Sequence, residues 1–194
     1  MPSLKLACIL LANGRGKRFG SNKLLAGWGG RPLCDVVLDR HPAELFHQTV
    51  VVTRYPEVAV SAAVRGFSVA EDPDGPDDIA RSIRLGLEAL RPGLDGCLFS
   101  VCDQPLLRAD TIRKLAAAFI AHRGCIVAAA HGGRRGNPVF FPAALFGELA
   151  SLPPGGSGGG VIAAHPELLR LVEVADPREL LDVDLPEDLE KLYK

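Results

Sequence analysis

The chain has 194 residues, 47% of them hydrophobic and 23% charged, with a formal net charge of −1. That length suits one domain, 1–194, with a sizeable core. The near-neutral balance argues against bulk binding to nucleic acid or to an anionic membrane, and no apolar run reaches spanning length. Lys5 comes early and the apolar run after it is too short for a secretory signal. The five cysteines are odd in number and form no Cys-x-x-Cys pair. Reduced thiols in a cytoplasmic protein are expected. Cys102 draws attention because it precedes Asp103 in a candidate site.

Leu6 to Leu11 reads as a buried strand. It opens onto Gly14, Gly16 and Gly20, interleaved with Arg15, Lys17, Arg18 and Lys23. Such a loop suits a polyphosphate: glycines let backbone N–H groups approach the anion, and the cations neutralise it. An exposed basic turn is the alternative. No Gly-Lys-Ser/Thr closes the loop, so it is not a P-loop. Phe19 stands where the dinucleotide fingerprint needs its third glycine.

Leu11-Ala12-Asn13-Gly14-Arg15-Gly16-Lys17-Arg18-Phe19-Gly20-Ser21-Asn22-Lys23 resembles the signature loop of the MobA-like nucleotidyltransferases. These include the molybdenum-cofactor cytidylyl- and guanylyltransferases. The resemblance implies that Leu11, Ala12, Asn13, Gly14 and Gly16 border the nucleotide. It also implies that Arg18 and Lys23 stabilise the triphosphate and the charge that develops on it. Asn13 replaces the usual Ala or Gly near the base.

A turn from Leu24 to Leu33 leads into a helix from about Pro32 to Arg40. Gln48 to Thr53 is a β-branched strand. Pro56 to Val64 reads as a helix and Phe67 to Val69 as a short strand. The acidic turn Asp72 to Asp78 precedes a helix from Ile79 to Leu90, with Asp77 or Asp78 as its N-cap. Residues 79, 83, 87 and 90, with the small Gly86, form its expected apolar face. By resemblance Ser82 lies near the base and sugar; a purely structural helix is equally open.

Gly96 to Cys102 has the near-continuous apolar look of a central parallel strand. Asp103-Gln104-Pro105 follows it, at the edge where ligands of α/β proteins bind. Asp103 could be a turn or cap residue; by resemblance it binds Mg²⁺. Asp110 is the expected cap of a helix running to about His122. Ile126 to Ala130 is a strand. Next, Arg135-Gly136-Asn137-Pro138-Val139-Phe140 resembles the Gly-His-Pro-x-Leu/Phe segment that serves the second substrate, with Asn137 in place of histidine. Arg134 and Arg135 would suit an acceptor phosphate, or they are simply solvated.

Ala143 to Leu152 reads as a short amphipathic helix. Pro153 to Gly160 reads as a mobile loop. Gly156 and Gly160 occupy the aspartate and arginine positions of the family's Gly-Asp-x-Gly-Ala-Arg. Leu169 to Val174 is a strand. Asp182-Val183-Asp184-Leu185-Pro186-Glu187-Asp188 resembles the family's closing motif, and a last helix runs from about Pro186 to Tyr193. Asp184 is either a second metal ligand or a helix cap.

Strands alternate with helices, which predicts a three-layer α/β/α sandwich around a Rossmann-like, mostly parallel sheet. The resemblance implies the nucleotide-diphospho-sugar transferase type and an Mg²⁺-dependent nucleotidyl transfer. The Asp-Gln-Pro and Gly-x-Pro-x-Phe motifs favour transfer of CMP from CTP to molybdopterin. GTP, or another phosphorylated acceptor, is the alternative. A reading from another class is a non-catalytic nucleotide- or pterin-binding chaperone that hands cofactor to a molybdoenzyme.

Overall fold

The computed structural model describes residues 4–193. The chain runs β1 (Leu6–Ala12), β2 (Gly27–Trp28), β3 (Arg31–Pro32), α1 (Leu33–Asp39), β4 (Gln48–Thr53) and α2 (Pro56–Val64). It continues through β5 (Ser68–Glu71), α3 (Ile79–Glu88), β6 (Gly96–Val101), α4 (Ala109–Ala121), β7 (Ile126–His131) and β8 (Arg134–Pro142). It closes with α5 (Phe146–Ala150), α6 (Gly158–Ala164), β9 (Leu169–Glu173) and α7 (Pro186–Tyr193). Seven strands form one sheet in the order β5-β4-β1-β6-β8-β7-β9, while β2 and β3 form a separate ribbon. β8 runs antiparallel to both neighbours, and every other pair in the large sheet is parallel.

The apolar runs of β1, β4 and β6 follow from burial on both faces. Cys8, Leu10 and Ala12 join a core with α1, α2 and α4. Ala7 and Ile9 face the opposite core, with α3, α5 and α6. The result is the expected three-layer sandwich. The order puts β1 and β6 side by side, so the loops after Ala12 and Val101 meet at one sheet edge.

Local differences from expectation have physical causes. α3 buries Ala80, Ser82, Ile83 and Gly86, whereas Ile79 is 43% exposed. The helix is turned because Gly86 rests on β1 and β4. A Cβ there would lie 2.7 Å from Ile9 Cγ2 and 3.2 Å from Val52 Cγ2. Asp78, one of the two expected caps, accepts from the Ala80 N–H at 3.0 Å.

Asp110 does not cap α4. The cap position is Arg108, whose N–H donates to Glu179 Oε2, as does the Thr111 hydroxyl. Glu179, buried, reaches in from the C-terminal part of the chain and takes over that end of the helix; Asp110 pairs with Arg113 on the surface. Ala143–Leu145 is a 3-10 turn, so α5 is shorter than expected. The glycine-rich run is only half a loop, because Gly158–Gly160 begin α6. Glycine is a poor helix former, but Val161 and Ile162 pack into the core and anchor the turn.

Candidate active site

The basic loop leaves β1 and folds back under itself. Gly16 has φ +58°, and a Cβ on it would lie 2.8 Å from the Ser21 carbonyl oxygen, so only glycine fits. Its carbonyl accepts from the Phe19 and Gly20 N–H groups at 2.9 and 3.2 Å. Asn22 Oδ1 accepts from the Leu24 N–H at 3.1 Å, capping the 3-10 turn that carries Lys23 inward.

The Lys23 side chain is only 11% exposed. Its Nζ lies 2.6 Å from Asp103 Oδ2 and 3.2 Å from Asp184 Oδ1. Arg18 Nη2 lies 2.9 Å from Asp184 Oδ2. Asp103 and Asp184 are 80 and 161 positions from Lys23 in the chain. Burial pulls the Lys23 ammonium down, but the charges and hydrogen bonds of Asp103 and Asp184 outweigh it and hold its pKa above the ordinary value. The Asp184 carboxylate is thus engaged by cations. Asp188 Oδ2 instead accepts the Asp184 and Leu185 N–H groups ahead of α7.

Asp103 Oδ1 is buried without a hydrogen-bond partner among the described residues. Two carboxylates converging at one point, one with an oxygen left over, fit a hard divalent cation that keeps water or phosphate oxygens in its shell. Among the described residues no group of three or more His, Cys, Asp or Glu is placed to hold a metal.

Three cavities radiate from this edge, and Leu11 lines all of them. The first, about 300 Å³, is lined by Ala12, Gly14, Gly16, Arg18, Lys23, Asp103 and Asp184. The second, about 730 Å³, is lined by Asn13, Gly14, Ile79, Ser82 and Asp103, with Pro154 and Gly155 across from them. The third, about 290 Å³, is largely apolar, with Arg135, Asn137 and Ser157 among its walls. Residues 135 and 137 share one face of β8 by strand periodicity. Gly136 and Pro138 do not line this cavity; a Cβ on Gly136 would lie 3.1 Å from Leu180 Cδ1.

Further residues at the edge have no role assigned from the sequence. Arg54 donates to the carbonyls of Asn13, Gly75 and Pro76 at 2.8, 3.2 and 3.1 Å. The Tyr55 hydroxyl donates to the Gly14 carbonyl at 2.9 Å. Together they pin the basic loop to the turn before α3. Their only sequence signal is position, directly after β4. Asp182 accepts from Gln104 Nε2 at 2.9 Å. Burial first, and then the charge of Asp103, raise its pKa to about 6. Cys102 is buried, and burial pushes its thiol well above the usual range, away from the thiolate form.

The model of the MobA-like NTP transferase domain family matches residues 8–169. The bifunctional enzyme IspD/IspF of Rhodospirillum rubrum is 33% identical over 178 residues, which are 83% of this chain and 45% of that protein. The molybdenum cofactor guanylyltransferase of Mannheimia succiniciproducens is 29% identical over 139 residues, 71% of this chain and 70% of that one. The chain therefore spans less than half the length of the bifunctional relative. Among solved structures, Rv0371c from Mycobacterium tuberculosis superposes with a TM-score of 0.79 at 27% identity, covering 97% of this chain and 98% of its own. A structure of that protein in complex with manganese superposes at 0.72 and 26%, with coverage of 97% and 98%. The fold is of the nucleotide-diphospho-sugar transferase type.

Proposed function

The chain belongs to the MobA-like NTP transferase domain family, and on that premise we propose that it transfers the nucleoside monophosphate of CTP or GTP to a phosphorylated small molecule. Molybdopterin is the first acceptor to test. The motifs Asp103-Gln104-Pro105 and Gly136-Asn137-Pro138 suggest CTP, while the guanylyltransferase relative suggests GTP. An acceptor phosphate oxygen attacks the α-phosphorus, the bond to the bridging oxygen breaks, and pyrophosphate leaves. The observation that carries this reading is Lys23 set between Asp103 and Asp184 beneath the glycine loop.

The roles follow from position. Backbone groups of Asn13 to Gly16 cradle phosphates, and Arg18 and Lys23 neutralise them as charge builds on the leaving group. Asp103 and Asp184 would hold Mg²⁺, which when bound offsets phosphate charge; the manganese complex of Rv0371c supports a divalent cation. Asn13 and Ser82 border the base, while Arg135 and Asn137 border the acceptor, with Gly136 and Pro138 shaping the strand beneath. Little covalent help is needed, because phosphoryl chemistry depends mainly on alignment and charge.

The test is pyrophosphate release with labelled CTP or GTP, Mg²⁺ and molybdopterin. We expect turnover in the wild type and at least about a hundredfold loss in Asp103→Ala. Tight nucleotide binding with no transfer to molybdopterin or to any phosphorylated acceptor would support the cofactor chaperone instead.

A further inference from the structure

Asn13 is 5% exposed and lines the cavity of about 730 Å³. Its Nδ2 donates to Asp72 Oδ2 and to Ser82 Oγ, each at 3.1 Å. Asp72 is 3% exposed and is gripped by Arg81, whose Nε and Nη2 lie 3.0 and 2.8 Å from Oδ1. A guanidinium fork fixes the carboxylate plane. The Arg81 hydrogen bonds also hold the Asp72 pKa below the usual carboxylate range, so it stays ionised. An ionised carboxylate only accepts. The Asn13 amide therefore cannot turn over without setting its oxygen against Asp72.

That orientation leaves Asn13 Oδ1 buried and without a hydrogen-bond partner among the described residues. Ser82 uses its proton on the Asp78 carbonyl at 3.2 Å. The remaining polar side chains of this cavity, those of Asp77, Asp78 and Asp103, are carboxylates. No side chain in its lining has a free donor.

We propose that Arg81 and Asp72 act as a positioning pair that fixes Asn13 as an acceptor, so that the site selects nucleoside triphosphates whose base carries an exocyclic amino group. This rests on the nucleotide reading of the cleft. The cationic cavity takes the triphosphate. The larger one shares Leu11, Gly14, Asp77 and Asp103 with it, which leaves the larger one for ribose and base. An amino group donates into such a lining, whereas a carbonyl in its place meets acceptor against acceptor. A site built to hydrogen-bond a substrate group rejects the analogue that lacks it far more strongly than an apolar pocket rejects a change in size.

The experiment is calorimetric titration of the full chain, with Mg²⁺, using two nucleotide pairs: CTP with UTP, and GTP with ITP. We expect the amino-bearing member of at least one pair to bind about tenfold tighter or more. Asp72→Asn frees the amide to turn its nitrogen toward the cavity, and the ratio should fall below about threefold as the keto nucleotide gains. Asn13→Leu, which leaves Asp72 and Arg81 paired, should lose the ratio as well and covers the case in which Asp72→Asn fails to fold. Equal affinities within both pairs in the wild type would overturn the proposal while leaving nucleotide binding intact. So would variants that weaken both members of a pair alike, the outcome of a merely structural role. Absence of any nucleotide binding would remove the nucleotide reading and this proposal with it.

Discussion

His41 shows how far a single side chain depends on its surroundings. It is 4% exposed, and Val37 O and Ser100 Oγ lie 2.9 Å from Nδ1 and Nε2. A carbonyl only accepts, so Nδ1 carries the proton and Nε2 accepts the Ser100 hydroxyl. Burial pulls its pKa down from 6.5 to about 4. The unfolded chain therefore binds a proton that the folded chain refuses between those values, and stability falls as pH drops through that window. The loss amounts to about 3 kcal/mol for this group. Urea unfolding at pH 7 and pH 4.5 should show a smaller drop in His41→Gln than in the wild type; equal drops would contradict this. Single residues of the active site were legible where chemistry is local. The basic loop showed its glycines and cations in one short stretch, and Gly16 sits where only glycine fits. Asp72 and Arg54 gave no such signal, because their roles arise from partners brought in by other loops; Asp182 was visible only as the first position of the closing motif.

Elements were read well where burial sets the pattern. The apolar runs of β1, β4 and β6 are buried on both faces, and their sequences say so. On α3 the expected face holds at Ile83 and Gly86 but not at Ile79, which is 43% exposed; Gly86 sets how closely the helix approaches the sheet. Gly86→Ala should push against Ile9 and Val52 and destabilise by about 1–3 kcal/mol, although alanine is the better helix former. A lowered urea midpoint with unchanged slope would bear this out; a raised midpoint would show that helix propensity wins. The start of α6 was hidden for the opposite reason. Its glycines predict a loop, and only packing of Val161 and Ile162, distant in sequence from their partners, makes a helix of them. The end of α4 was misjudged because its cap comes from Glu179, far along the chain.

At the scale of the molecule, the sheet order places the end of β1 beside the end of β6, and the C-terminal segment brings Asp184 to the same point. There the cations Lys23 and Arg18 and the carboxylates Asp103 and Asp184 neutralise one another. Under the proposed function, Lys23 and Arg18 would turn to phosphate and Asp103 and Asp184 would hold the cation when nucleotide and Mg²⁺ bind together. Either ligand alone would leave Lys23 or Asp103, the two largely buried members, without its opposite charge, which is costly. The two ligands should therefore bind cooperatively, and linkage makes that coupling reciprocal.

Calorimetric titration of CTP and GTP into the wild type, Lys23→Ala and Asp103→Asn, each with and without Mg²⁺, tests this directly. Mg²⁺ should tighten nucleotide binding to the wild type by about tenfold or more. Asp103→Asn should lose most of that gain, and Lys23→Ala should bind nucleotide poorly with or without the cation. Nucleotide affinity indifferent to Mg²⁺ in the wild type, or unchanged in both variants, would contradict the assignment of this cleft to nucleotidyl transfer.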